Sequence, residues 1–255
     1  MPGIIALALL ASIAVPARAY RDTCVLDLTS SPQAIGVKLL FLGTAKGGKL
    51  RQGGGEFIDS AKSLGIDPAI LASVGTPVVA FIKRDAGTFT CKASSTGAGA
   101  KGKLAFVPNP TYQHQLTEAG AADESLSEYD LKSATSVNLS IDYVHSIAKA
   151  GYPNLSVALL LDFRVLGIDA GYIAGISSAT ARRVSPKELE DLRTMGVTGR
   201  YIRGFAAVGY RDLSVKDLMD LKAASVSPAY VGYLDRHGIH KPSIQDLVRL
   251  KLSGI

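Results

Sequence analysis

Residues 197–225 read VTGRYIRGFAAVGYRDLSVKDLMDLKAAS, and this pattern returns every 29 residues through the C-terminal half of the chain. Tyr143, Tyr172, Tyr201 and Tyr230 keep that step. So do Ser127, Ser156, Ser185, Ser214 and Ser243, together with Leu131, Leu160, Leu189, Leu218 and Leu247. A fourth column, Leu139, Ile168, Val197, Val226 and Ile255, is apolar throughout. Four columns in phase over five units predict a repeat architecture, in which each unit buries its apolar face against its neighbours.

The punctuation inside a unit predicts two helices. Ser140 caps the first, which runs through Ala150 on an apolar face of Ile141, Val144, Ile147 and Ala148, and Gly151 stops it. Asp169, Thr198 and Ser227 are the equivalent caps; Gly209 and Gly238 repeat the stop, and Thr180 replaces it in the third unit. The second helix opens at the phased serines, with Asp130, Glu188, Asp217 or Asp246 three residues on. An acid there completes a capping box and faces the positive end of the helix dipole. Gly167, Gly196 and Gly254 end these helices, with Asn138 and Ser225 in the same role in two units. Asn109-Pro110 opens the first unit, asparagine as cap and proline at the first helical position, as Ser227-Pro228 does in the last. The first unit carries two extra residues before its second helix. Helices this short are marginal alone, so stacking must stabilise them. Residues 109–255 are therefore expected to form a five-unit helical solenoid whose apolar C-terminal end offers a surface for self-association.

The tyrosine column admits two readings. Tyr143, Tyr172, Tyr201 and Tyr230 could form a binding stripe, or they could pack one unit on the next; their place beside the apolar face favours packing.

Residues 20–108 have a different texture, that of a small antiparallel β domain, so the fold class is α+β. Residues 23–28 and 37–42 are strand candidates, and residues 77–83, 88–94 and 103–107 read as a three-stranded meander with a tight turn at Asp85-Ala86-Gly87. Residues 95–102 read as a looser turn. Residues 44–55, with five glycines, read as an exposed loop, and residues 56–73 as short helical turns.

Residues 1–19 are distinct again. An uncharged apolar run over 3–15 leads to Pro16-Ala17-Arg18-Ala19, an A-x-A ending that predicts a signal peptide cleaved before Tyr20. Thirteen apolar residues fall short of the roughly 20 that span a bilayer, which weighs against a retained anchor. No later segment is apolar enough to span, so the expected location is extracytoplasmic, periplasmic or secreted. Cys24 and Cys91 are then either a disulfide or, given the alternation around Phe89 and Cys91, a pair of buried thiols.

Composition is that of a globular chain, 47% hydrophobic and 20% charged over 255 residues. Charge divides unevenly: residues 20–110 hold 11 Lys and Arg against 6 Asp and Glu, whereas residues 111–255 hold 16 of each. Anionic envelope polymers or headgroups are candidate partners for the basic half. Nucleic acid is disfavoured by the export signal and the lack of a basic stripe interleaved with aromatics.

Several local motifs carry no chemistry in context. Gly43 to Lys49 fits G-x-x-x-x-G-K but is followed by Leu50 rather than Ser or Thr. Gly97 to Gly102 fits G-x-G-x-x-G but runs from strand to strand. Ser146-Ile-Ala-Lys149 lacks the companion motifs of penicillin-recognising enzymes. His114, His145, His237 and His240 form no recognised ligand set, and His237 and His240 flank Gly238 at a helix end, where a cation suits the dipole. No motif calls for a cofactor or a metal.

Arg84-Asp-Ala-Gly-Thr-Phe-Thr-Cys91, Gly99 and Phe106-Val-Pro-Asn-Pro-Thr-Tyr112, followed by units such as Val197-Thr-Gly-Arg-Tyr-Ile, resemble a family of exported bacterial proteins. Similar modules form the extracytoplasmic part of beta-lactam-sensor-type membrane metallopeptidases. The resemblance covers residues 77–255 and implies the architecture above. It carries over no catalytic residue, since the chain has no H-E-x-x-H. The expected function is that of a non-catalytic binding or scaffold protein for a protein or envelope partner. The alternatives are a sensory module for a membrane-bound partner, and a hydrolase sited at the junction of the two halves around His114, Glu118, Asp142 and His145.

Overall fold

The computed structural model describes residues 22–31 and 33–254. The predicted signal peptide and Ile255 lie outside the described residues. Six strands come first: β1 (Thr23–Leu28), β2 (Ala34–Thr44), β3 (Leu50–Ser60), β4 (Pro77–Arg84), β5 (Gly87–Ser95) and β6 (Gly99–Pro108). They form one antiparallel sheet in the order β3-β2-β1-β6-β5-β4. Two short helices, α1 (Ala61–Leu64) and α2 (Pro68–Leu71), link β3 to β4.

Alternation decides which side is buried. Ile35, Val37, Leu39 and Phe41 of β2, Val78, Ala80 and Ile82 of β4, and Phe89 of β5 all point to one core. Leu64 and Leu71 cover that core at one end. At the other end lies α4 (Glu128–Val137), which touches β2, β3, β5 and β6. Cys24 of β1 and Cys91 of β5 are joined in a disulfide inside this core. Their Cα atoms are 5.8 Å apart although β6 runs between their strands. Gly102 occupies that crossing on β6, where a Cβ would come within 2.0 Å of the Lys92 carbonyl oxygen.

The glycine-rich stretch corrects the sequence reading. Residues 44–55 are not a loop: β2 ends at Thr44, β3 starts at Leu50, and only residues 45–49 turn between them. The predicted meander β4-β5-β6 joins a second one, β1-β2-β3, through β1 and β6 into a six-stranded sheet, and residues 56–60 belong to β3 rather than to helical turns. The glycines serve close approach, not flexibility. A Cβ at Gly43 would lie 2.7 Å from Tyr129 Cα, and one at Gly53 would lie 2.5 Å from the Phe41 ring. Side chains there would hold α4 off the sheet. The G-x-x-x-x-G-K stretch is therefore a hairpin with strands on both sides. Residues 95–102 are also mostly strand, leaving 96–98 as the turn.

Ten helices make up the rest: α3 (Tyr112–Glu118), α4, α5 (Ile141–Lys149), α6 (Val157–Leu166), α7 (Ala170–Ser177), α8 (Pro186–Thr194), α9 (Gly199–Ala207), α10 (Val215–Ala223), α11 (Pro228–Arg236) and α12 (Ile244–Leu252). The predicted caps act as caps. Ser127, Ser185 and Ser214 form reciprocal capping boxes with Asp130, Glu188 and Asp217. Ser140, Asp169, Thr198 and Ser227 each accept from the amide three residues on. Asn138 and Ser225 take the left-handed conformation that glycine takes in other units. The first unit differs from expectation. Asn109 accepts from the Thr111 amide in a turn, and the helix starts at Tyr112 instead of Pro110.

Each helix packs on the one two places along: α3 on α5, α5 on α7, α7 on α9 and α9 on α11 form one row; α4, α6, α8, α10 and α12 form the other. Leu160, Phe163, Ile173, Leu189, Leu192 and Ile202 lie in the core between them. No helix of the described residues is long and apolar enough to cross a membrane.

Candidate functional site

The two halves meet at a joint built from both. Ala86, in the β4–β5 turn, is buried in the helical core, whereas Tyr129 of α4 packs on the sheet core. Asp85 accepts a 2.8 Å hydrogen bond from the Ile141 amide at the start of α5, and Asn109 donates to the Asp85 carbonyl at 2.9 Å. On the other side of the joint Lys132 of α4 is buried. It pairs with Asp22 and Glu128, both at 2.9 Å, and donates to the Leu42 carbonyl. Burial opposes the Lys132 charge, but the two carboxylates outweigh it and hold its pKa above the usual lysine value. The Lys132 bond likewise draws Glu128 below the usual carboxylate range.

Sequence reasoning missed Lys132. The one available signal was its column, where the later units place Leu161, Glu190, Met219 and Val248. In a column that is apolar in three of the four later units, a lysine meets something other than another unit, and here that is the sheet.

Beside the Asp85 contact opens a cleft of about 580 Å³, lined by Asp85, Asn109, Glu118, Asp142 and His145 among others. It brings together three of the four junction residues named from sequence. His114 lies outside the lining and pairs with Glu118 at 3.3 Å. Three carboxylates and an imidazole can hold a cationic group or relay a proton. Among the described residues its lining contains no serine, threonine, cysteine or lysine, so a nucleophile from this chain would have to be one of the carboxylates or the imidazole. Among the described residues no three His, Cys, Asp or Glu side chains converge as a metal site.

The tyrosine column is engaged within the chain. Tyr143 donates to the Ile168 carbonyl at 2.6 Å, Tyr172 to Val197 at 3.1 Å and Tyr201 to Val226 at 2.7 Å, in each case 25 residues on. Each ring also carries a cation on its face. Arg164, Arg193, Lys222 and Lys251 stand 4.6 to 5.1 Å from the centroids of Tyr143, Tyr172, Tyr201 and Tyr230. Burial pushes Tyr172 and Tyr201 up to about 12, and Tyr143 further. The Tyr230 hydroxyl is buried and has no partner among the described residues. Tyr112 makes the equivalent bond to Leu139, 27 residues on, because the first unit's two extra residues loop out between the helices. A second set, Tyr152 to Val184 and Tyr210 to Pro242, ties the second unit to the third and the fourth to the fifth at 2.6 Å.

The remaining candidates are dispersed. Ser146 lies in α5 and donates to the Tyr143 carbonyl at 2.7 Å. His237 caps α11 through Tyr233, and His240 pairs with Asp235.

Grooves line the even-numbered row. Ala223, Ala224, Ile244, Val248 and Leu252 bound one of about 560 Å³ between α10 and α12. Val137, Ala158, Leu161 and Val165 bound another, of about 380 Å³, between α4, α6 and the glycines of β3. Compared with protein-family models, with curated proteins and with solved structures, the chain matches none.

Proposed function

We propose that the chain is an exported, non-catalytic binding protein whose helical half is a solenoid that seats a partner protein along its even-numbered helices. The observation that carries this is the pair of grooves at the two ends of one helix row, each mixing apolar side chains with charged ones: Lys216, Asp217 and Asp220 in one, Arg51, Asp130 and Asp162 in the other. Val165 is 68% exposed and Leu252 73%, each at the lip of one groove. An open apolar side chain standing alone is ordinary, but one that continues the apolar side of a groove enlarges a contiguous patch, and such patches mark contact surfaces. The fasteners support the same reading. Tyrosine hydroxyls tie successive units at a fixed register, which keeps the two grooves at a set separation and lowers the ordering cost of a long contact. The Cys24–Cys91 bond supports an oxidising compartment and so export.

The test is capture from a cell-envelope extract by the chain and by two variants, Val165→Glu and Leu252→Glu. Both substitutions lie on exposed surface and should leave the fold intact, while each should weaken capture of the same partner at least tenfold. Capture unchanged in both variants would sink the reading.

One observation favours a second reading, hydrolysis at the joint: Glu118, Asp142 and His145 share one cleft. An imidazole among carboxylates can serve as a general base toward water. Turnover of ester, phosphoester or peptide reporter substrates should then be lost in His145→Asn. Equal rates for the two proteins dispose of it.

A further inference from the structure

The side of the sheet that faces away from the core has a composition of its own. Strand register sets its rows. Val79, Lys92, Lys103, Thr23 and Leu40 stand side by side across β4, β5, β6, β1 and β2. The next row on one side is Ser94, Lys101, Val25, Lys38 and Glu56. On the other side follow Phe81, Thr90 and Ala105, then Lys83, Thr88 and Val107. No element of the described residues covers these rows. They hold five lysines against one acid, Glu56, which is already paired with Lys38 at 3.5 Å.

Two details separate this face from an ordinary solvated one. Lys92 and Lys103 are direct cross-strand partners, a like-charge juxtaposition that destabilises an antiparallel pair. Apolar side chains stand open among the lysines, Phe81 at 38% and Val107 at 65% exposure, with Val79 and Leu40 beside them. The disulfide adds shape. It draws β1 and β5 together on the core side of β6, so the opposite face is convex, with Lys92, Lys101 and Lys103 on its crest.

We propose that this face docks on an anionic lipid bilayer. Charge complementarity calls for a polyanion, since four of the five lysines form no ion pair among the described residues. Shape argues against a small ligand, because a crest encloses nothing. The exposed phenylalanine and valines gain nothing from a water-soluble polyanion but enter the headgroup zone of a bilayer, as in interfacial helices. Lysine suits this occupant: its long stem lies along apolar surface while the ammonium stays in the charged layer. Each lysine held at such a surface contributes about 1 kcal/mol. The proposal concerns the sheet and is independent of the grooves on the helical half.

The experiment is co-sedimentation of the full chain with vesicles of phosphatidylcholine alone or mixed with phosphatidylglycerol. Every variant keeps the same N-terminal residues, so differences among variants belong to the sheet face. The chain should bind the mixed vesicles and not the neutral ones. Replacing Lys92, Lys101 and Lys103 together by glutamine should reduce that binding roughly a hundredfold. The fold should survive, because the like-charge contact is relieved; an unchanged thermal transition checks this. Phe81→Ser with Val107→Thr should retain low-salt binding and lose the part that resists salt. Val165→Glu should bind vesicles as the parent does, which separates this proposal from the helical one. Equal binding of the lysine variant and the parent overturns the proposal, as does equal binding to neutral vesicles. So does lysine-dependent binding of soluble polyphosphate by a chain that ignores mixed vesicles.

Discussion

The sheet and the helices solve the same stability problem by opposite means. The sheet joins residues far apart in sequence, β1 to β6, and adds one covalent tie across the middle. The helical half joins only near neighbours and ties them many times over by weak, identical contacts. Loss of one tie should therefore cost the sheet a great deal and the helical half little, because neighbouring units share the load.

The largest expected effect follows from the covalent tie. Cys91→Ser, or reduction, frees a loop of 67 residues and should lower the stability of the sheet by about 4 kcal/mol. Chemical denaturation followed by hydrogen exchange should show sheet amides exposed early, with amides of α6 to α12 still protected. A uniform loss across both halves would break the contrast.

Next comes the joint. Lys132→Met leaves the Asp22 carboxylate without its cation and the Leu42 carbonyl without its donor. Removing one partner of a buried pair costs about 3–5 kcal/mol; because Asp22 and Glu128 are partly open to solvent, about 2 kcal/mol is the better figure. The readout is cooperativity. A single transition in the parent should divide into two in the variant, and a single transition at unchanged midpoint would show that Lys132 does not couple the halves.

The smallest effect belongs to one tyrosine. Tyr143→Phe removes the bond to Ile168 and should cost about 1 kcal/mol. Tyr230→Phe, whose hydroxyl has no partner among the described residues, should cost less. Alkali tests the whole column at once. Burial raises the folded pKa, so the protonated tyrosines stabilise fully below the ordinary value of 10.0. That stability is lost as pH rises through about 12 for Tyr172 and Tyr201. Residues 22–108 contain no tyrosine. Circular dichroism should therefore show the helical signal falling ahead of the sheet signal above pH 10.

The same contrast explains what the sequence disclosed. Caps, stops and apolar columns act within a few residues of themselves, so Ser127, Ser140 and Asn138 could be read locally. The sheet could not, because its glycines have a distant cause. Gly43 and Gly53 are small because Tyr129 and Phe41 crowd them, and nothing adjacent in sequence says so. Lys132 was hidden for the same reason, its partner Asp22 lying 110 residues away. The junction cleft was half visible: Glu118, Asp142 and His145 were named, but the closing role of Asp85 depends on how β5 leaves β4. The lysine face appears only once register is known, since Lys92 and Lys103 become neighbours by pairing alone.

The forward reach of the tyrosines has a consequence in time. Each donates to a carbonyl that lies 25 residues later in three successive units. During synthesis at about 5–20 residues per second, a unit's closing bond waits roughly one to five seconds for its acceptor to be made. Closure thus travels from the sheet outward, always one unit behind the growing end. The sheet, completed first, already holds the Ile141 amide through Asp85, two residues ahead of the first of these tyrosines.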